Sequence, residues 1–169
     1  MSDLVPGPEA SAGSRSSLDV LIVRDPRESP KKCSLIPLRG TAGIEFVAYE
    51  GDRMVDATGR VLLDPEGELI SEADRGLPLL VLDSSWRRLP KLAKTITGDP
   101  VRRRLPPLVT AYPRRSKGFE DPSEGLASVE ALYAALLLLG ATDIEYLLDD
   151  YLWKTEFLDR NRDALKVPQ

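Results

Sequence analysis

The run Leu77-Pro-Leu-Leu-Val-Leu82 narrows the folds open to this chain more than any other segment. Its apolar residues follow one another without polar alternation. A sheet with one solvated face alternates, whereas a strand covered on both faces does not. The run therefore predicts a strand buried on both faces. It stops at Asp83-Ser-Ser-Trp86. In open α/β sheets, ligands bind beyond the carboxyl ends of the strands. A carboxylate at Asp83 suits an ammonium, a hydroxyl or a proton, and the Trp86 ring offers a face to a cation or a base. The simpler alternative is that Asp83 caps a turn and Trp86 fills core.

Other segments extend this picture. Leu18–Val23, Glu45–Tyr49, Arg60–Leu63 and Leu105–Ala111 are read as strands, with Gly51, Gly59 and Gly67 between them. Ser71-Glu-Ala-Asp-Arg75 reads as one capped helical turn. Ser128 is placed to cap a helix running to Leu139, which Gly140 ends. Thr142 and Glu145 form a capping-box pattern for a second helix. Ile144, Leu147, Leu148, Tyr151 and Leu152 would be its buried stripe, continued by Trp153, Phe157, Leu158 and Leu165. Strands fill the first two thirds and helices the last, so the fold class is α/β. Residues 1–17, rich in Ser, Gly, Ala and Pro, read as a flexible tail. The rest divides into a small N-terminal α/β lobe, 18–82, and a C-terminal part, 83–169.

Charge is unevenly spread. Between Arg87 and Lys117 lie ten basic residues, Arg87, Arg88, Lys91, Lys94, Arg102, Arg103, Arg104, Arg114, Arg115 and Lys117, and one acid, Asp99. That segment carries +9, while the remaining 13 basic and 26 acidic residues sum to −13. A basic segment in an acidic chain is the footprint of a polyanion partner, unless acidic neighbours pair with it. Five prolines in the segment favour a shaped, extended surface over a basic helix.

Several chemistries drop out. The chain has no His and a single Cys, which excludes Cys/His zinc sites and His-assisted nucleophiles. No metal is expected. Neither a dinucleotide fingerprint nor a phosphate loop is present. No apolar run approaches the ~20 residues of a membrane span, and no secretory leader is visible. One cysteine suits a cytoplasmic setting. Cys33 beside Lys31 and Lys32 could be an activated thiolate, or a half-buried structural thiol. Glu130, in the first turn of the predicted helix, suits the positive helix end.

Taken in order, six segments resemble the S-adenosylmethionine-dependent aminocarboxypropyl transferases that modify small-subunit ribosomal RNA, a SPOUT-like, DTW-related group. They are Pro30-Lys-Lys-Cys-Ser34; Leu62-Leu-Asp-Pro65 with Ile70-Ser-Glu-Ala-Asp74; Leu82-Asp-Ser-Ser-Trp86; Leu105-Pro-Pro-Leu-Val-Thr-Ala-Tyr-Pro113; Leu126-Ala-Ser-Val-Glu-Ala131; and Trp153, Phe157, Leu158 and Asn161. The family's N-P-V-N-Y-G is replaced here by Tyr112-Pro-Arg-Arg-Ser-Lys-Gly118.

The resemblance implies a SPOUT-like knotted C-terminal part holding S-adenosylmethionine. It places Ser34 at the ribose or aminocarboxyl end, and Leu82, Leu105 and Leu126 around the adenosine, partly through backbone groups. Trp86, with Leu89, would bury the cofactor's methyl group and so turn the γ-carbon of the amino acid arm toward the acceptor. Asp83 would lie at the reacting end as the catalytic residue, and Ala131 would offer helix-end backbone to the carboxylate. Arg87, Arg88, Lys91, Arg102, Arg103, Arg104, Arg114 and Arg115 would hold phosphates of small-subunit rRNA or a pre-ribosomal particle. The implied reaction is transfer of the 3-amino-3-carboxypropyl group to a pyrimidine ring nitrogen, by a monomer. The alternatives are a DTW-type tRNA uridine enzyme, a SPOUT-type methyltransferase, and a non-catalytic RNA-binding assembly module.

Overall fold

A computed structural model describes residues 17–31, 33–113 and 125–166. Five parallel strands form the main sheet in the order β2-β1-β5-β4-β7. They are β1 (Val20–Arg24), β2 (Ile44–Ala48), β4 (Val61–Leu69), β5 (Leu79–Asp83) and β7 (Val101–Arg104). β3 (Val55–Asp56) and β6 (Ile96–Thr97) pair separately, also in parallel. Three helices complete the set: α1 (Leu89–Ala93), α2 (Ser128–Leu138) and α3 (Lys154–Leu165).

The apolar run is the strand buried on both faces that its pattern predicts. β5 lies between β1 and β4. Successive side chains of β1 and β5 enter two different cores, as the period of two requires. Val20, Ile22, Leu79 and Val81 face α2, α3 and the Ile144–Leu148 segment. Leu21, Val23 and Leu80 face Ala57 and Leu92. α2 is buried around most of its circumference, which explains why its sequence is apolar on every face. Gly140, at φ 99°, ends it as expected; the Ala141 amide reaches back to the Leu136 carbonyl.

β4 carries a bulge between Leu63 and Glu68 against β7. Gly67 is required there, because a Cβ would lie 2.7 Å from the β7 backbone. At the start of the bulge Asp64 forms an ion pair with Arg102 at 3.1 Å.

Three local expectations are corrected. Leu105–Ala111 is not a strand; pairing stops at Arg104, since Pro106 and Pro107 have no N–H to donate. That segment's backbone is instead held by side chains. Asn161 accepts from the Val109 amide (2.7 Å) and donates to the Val109 carbonyl (2.8 Å). Ser128 does not cap α2: Ala127 occupies the cap position and Ser128 is the first helical residue. The Thr142–Glu145 box does not start a long helix. Asp143 takes φ 56°, only a 3-10 turn follows over Glu145–Leu148, and the expected stripe residue Leu152 is exposed. The Ser71 turn does form its box: Ser71 accepts from the Ala73 amide, and Asp74 accepts from the Ser71 amide. The N-terminal tail through residue 16 lies outside the described residues.

Candidate functional site

β1 and β5 run side by side, and register pairs Arg24 with Asp83 at their carboxyl ends. From β1 the chain leads on to β2 at one edge. From β5 it leads on to β7 at the other. In open α/β sheets, the place where neighbouring strands send the chain in opposite directions is where ligands bind.

Asp83 is only 5% exposed there. One carboxylate oxygen, Oδ2, accepts from the Cys33 thiol at 3.1 Å and lies 3.6 Å from Arg24 Nε. The other accepts from the Ser128 hydroxyl at 3.3 Å. Ser34 Oγ accepts from the Val129 amide at 3.0 Å, capping the start of α2 from 95 residues away. Three of the quoted segments, around Cys33, Asp83 and Ser128, are thus joined side chain to side chain.

Burial pushes the Cys33 thiol up, the Asp83 carboxylate adds to this, and Arg24 opposes it. Cys33 is a proton donor here, not an activated thiolate.

A second carboxylate lies behind the first. Asp25 is fully buried and accepts from the Arg27 amide, the Ser84 hydroxyl and Arg88 Nε. Burial raises it, but the hydrogen bonds, led by Arg88, win and hold it below the usual carboxylate range. Neither Arg24 nor Asp25 was singled out in the sequence. The available signal was a charged pair directly after a β-branched run, matching Asp83 after its own run.

Glu130 is the hub of the α2 start. Its carboxylate accepts from the Ala127 and Ala111 amides, the Thr110 hydroxyl and Tyr151 Oη, at 2.7–2.9 Å. It fastens the Leu105–Pro113 segment to the helix.

The remaining expected residues fall into groups. Leu105 and Leu126 pack on the helix-side core, Leu82 on the opposite one. A common ligand could meet Leu82 only through its backbone. The Ala131 amide already donates to the Ala127 carbonyl, so that position offers a methyl group and no free N–H. Trp86 is 49% exposed, with Arg87 over its ring at 5.4 Å. Arg88 is committed to Asp25 and lies over Tyr49. Arg103 clamps the buried Asp74 at 2.9 Å. Arg87, Lys91, Arg102 and Arg104 are exposed; Arg102 meets Asp64, and Arg104 donates to the Gly67 carbonyl. Arg114 and Arg115 lie outside the described residues. Among the described residues no group of His, Cys, Asp and Glu could hold a metal, and no helix is long and apolar enough to cross a membrane.

The sequence model of the family described as "Ribosome biogenesis protein, C-terminal" matches residues 61–167. The chain belongs to this family. The matched stretch includes Asp83, the basic segment and the Glu130 hub. Among solved structures, the chain is similar to the SAM-dependent rRNA:acp-transferase Tsr3 from Vulcanisaeta distributa. The two share 28% identity with a TM-score of 0.70, over 89% of this chain and 82% of that one. No curated protein matches. For this ribosome biogenesis family member, the likeness extends N-terminally past residue 61, because 89% coverage exceeds what residues 61–167 can supply.

Proposed function

We propose that this protein transfers the 3-amino-3-carboxypropyl group of S-adenosylmethionine to a pyrimidine ring nitrogen of small-subunit rRNA during ribosome maturation. One observation carries the reading: Asp83, Ser34 and the start of α2 converge at the carboxyl ends of β1 and β5. The 28% identity to a SAM-dependent rRNA:acp-transferase over most of both chains supports it.

The residues present suit that cofactor. Asp83 is a buried carboxylate fit for an ammonium group, and Trp86 is half-exposed, with Arg87 over one ring face and the other face suited to a methylsulfonium cation. When bound, S-adenosylmethionine would supply a γ-carbon activated by positive sulfur, open to attack by the base nitrogen with 5′-methylthioadenosine as the leaving group. Asp83 orients the amino acid arm, and the base nitrogen loses its proton to water. Ser34 locks the start of α2 against the Cys33 segment, keeping the crevice in shape. Leu105 and Leu126 flank the adenosine, and Trp86 with Leu89 keeps the methyl group from the acceptor. Selection of the product is then a matter of positioning.

Exposed Arg87, Lys91, Arg102 and Arg104 hold phosphates beside the crevice, and the acceptor base is presented unstacked. The C-terminal part, 83–169, is SPOUT-like and knotted in this reading. Its support is the Leu105–Pro113 segment, clasped from one side by Glu130 and from the other by Asn161. The protein acts as a cytoplasmic monomer.

Nucleoside mass spectrometry of small-subunit rRNA treated with the protein and S-adenosylmethionine tests the reading. A pyrimidine nucleoside heavier by one aminocarboxypropyl group is expected. One heavier by a methyl group would contradict it.

A further inference from the structure

Arg24 is 7% exposed, and its Nε is the only buried side-chain nitrogen or oxygen among the described residues with no hydrogen-bond partner. Its Nη2 donates to the Glu28 carbonyl at 2.7 Å, which fixes the plane of the guanidinium. Nε then lies 3.6 Å from Asp83 Oδ2, too far for a hydrogen bond. Among the described residues the Asp83 carboxylate accepts from a thiol and a hydroxyl alone. A buried donor without an acceptor is unfavourable, and such groups call for an explanation. Here the group sits at a crevice already argued to bind a ligand.

We propose that Arg24 and Asp83 together form a subsite for an α-amino acid zwitterion, with Arg24 binding its carboxylate and Asp83 its ammonium. The inference rests on the cofactor reading above and deepens it, because S-adenosylmethionine carries such a head on the arm to be transferred. Opposite charges on adjacent strands match opposite charges on one carbon. The guanidinium is the stronger carboxylate donor, being planar, permanently charged and already oriented. A second observation removes the main competitor: the Ala131 amide is bonded within α2 and cannot take the carboxylate. Arg24 lies outside the six segments that carry the family resemblance.

The test is calorimetric and needs no turnover. Wild-type protein, Arg24→Gln and Arg24→Lys are titrated with S-adenosylmethionine and with 5′-methylthioadenosine, which lacks the amino acid arm. Thermal unfolding of each variant is followed in parallel. For Arg24→Gln, affinity for S-adenosylmethionine should fall about 10- to 100-fold, the scale of one hydrogen bond to a charged group. Affinity for 5′-methylthioadenosine should be unchanged. Arg24→Lys, which keeps the buried charge, should show a smaller loss with the same selectivity, and it carries the test if the Gln variant does not fold. Equal losses for both ligands, or no loss for either, would overturn the assignment of Arg24 while leaving the cofactor reading standing. A wild-type protein that binds neither ligand would overturn both.

Discussion

In the proposed reaction Asp83 is the residue on which the chemistry turns, and its surroundings decide how it must be tested. Removing it outright leaves Arg24 as a buried charge with nothing opposite. Breaking one side of a buried ion pair costs about 3–5 kcal/mol, so Asp83→Ala would mix lost folding with lost function. Asp83→Asn also leaves the Arg24 charge unmatched, but it keeps the side-chain shape and one hydrogen-bonding oxygen and so opens no cavity. We expect a lowered but still cooperative melting transition, with transfer per folded molecule reduced by at least about 100-fold. Full activity would remove Asp83 from the mechanism. At this scale the sequence was partly legible. Asp83 stands out because it ends an unbroken apolar run, but Arg24 and Asp25 do not. The short strand before them was read as ending at Val23, one residue too early to place Arg24 beside Asp83.

At the scale of elements, side chains replace the missing ladder after β7. The Leu105–Ala111 segment looks like a strand by composition. Yet its two prolines leave the backbone to be held by Glu130, Asn161 and Arg160. No local pattern announces this, since the partners lie 19 to 52 residues away. Glu130→Ala should therefore act on two elements at once. It strips four hydrogen bonds and should destabilise the fold by about 3 kcal/mol, read as a lowered thermal midpoint. An unchanged midpoint would deny Glu130 its fastening role.

β7 is the edge strand, and the alternation along it separates its arginines. Arg103 faces inward to Asp74, whereas Arg102 and Arg104 are exposed. Arg102→Glu with Arg104→Glu should weaken RNA binding and flatten its salt dependence by about one unit of slope per lost phosphate contact. The same change at Arg103 would chiefly disturb folding. Unchanged RNA affinity in the double variant would place the RNA elsewhere. The sequence showed the charge segment plainly but not its division into a half-buried clamp at Arg103 and exposed side chains at Arg102 and Arg104, which depends on the β4 bulge and the β7 register.

For the whole molecule, the mixed α/β class and the buried strand were legible because burial on both faces writes itself into composition; the parallel pairing and the strand order were not. The length of the second helix was not, because a left-handed residue at Asp143 interrupts a continuous apolar pattern. The molecule also has a definite acid limit. Asp25 and Asp74 are both buried, which raises their carboxyl groups, and both are bonded by arginine strongly enough to end below the ordinary value of 3.8. The unfolded chain therefore binds more protons in acid than the folded one. Their contribution is complete above pH 3.8 and is lost as pH falls through the lower folded values. Arg103→Met should remove the clamp on Asp74 and move the acid-unfolding midpoint to higher pH. A midpoint unmoved by the change would mean that Asp74 does not couple folding to pH.

The account stands most directly on which carbon of the cofactor reaches RNA. The protein is incubated with small-subunit rRNA and S-adenosylmethionine labelled either in the carboxyl carbon or in the methyl carbon. Carboxyl label in the RNA, with no methyl label, is the predicted result. Methyl label in the RNA, or neither label despite bound cofactor and RNA, would contradict it.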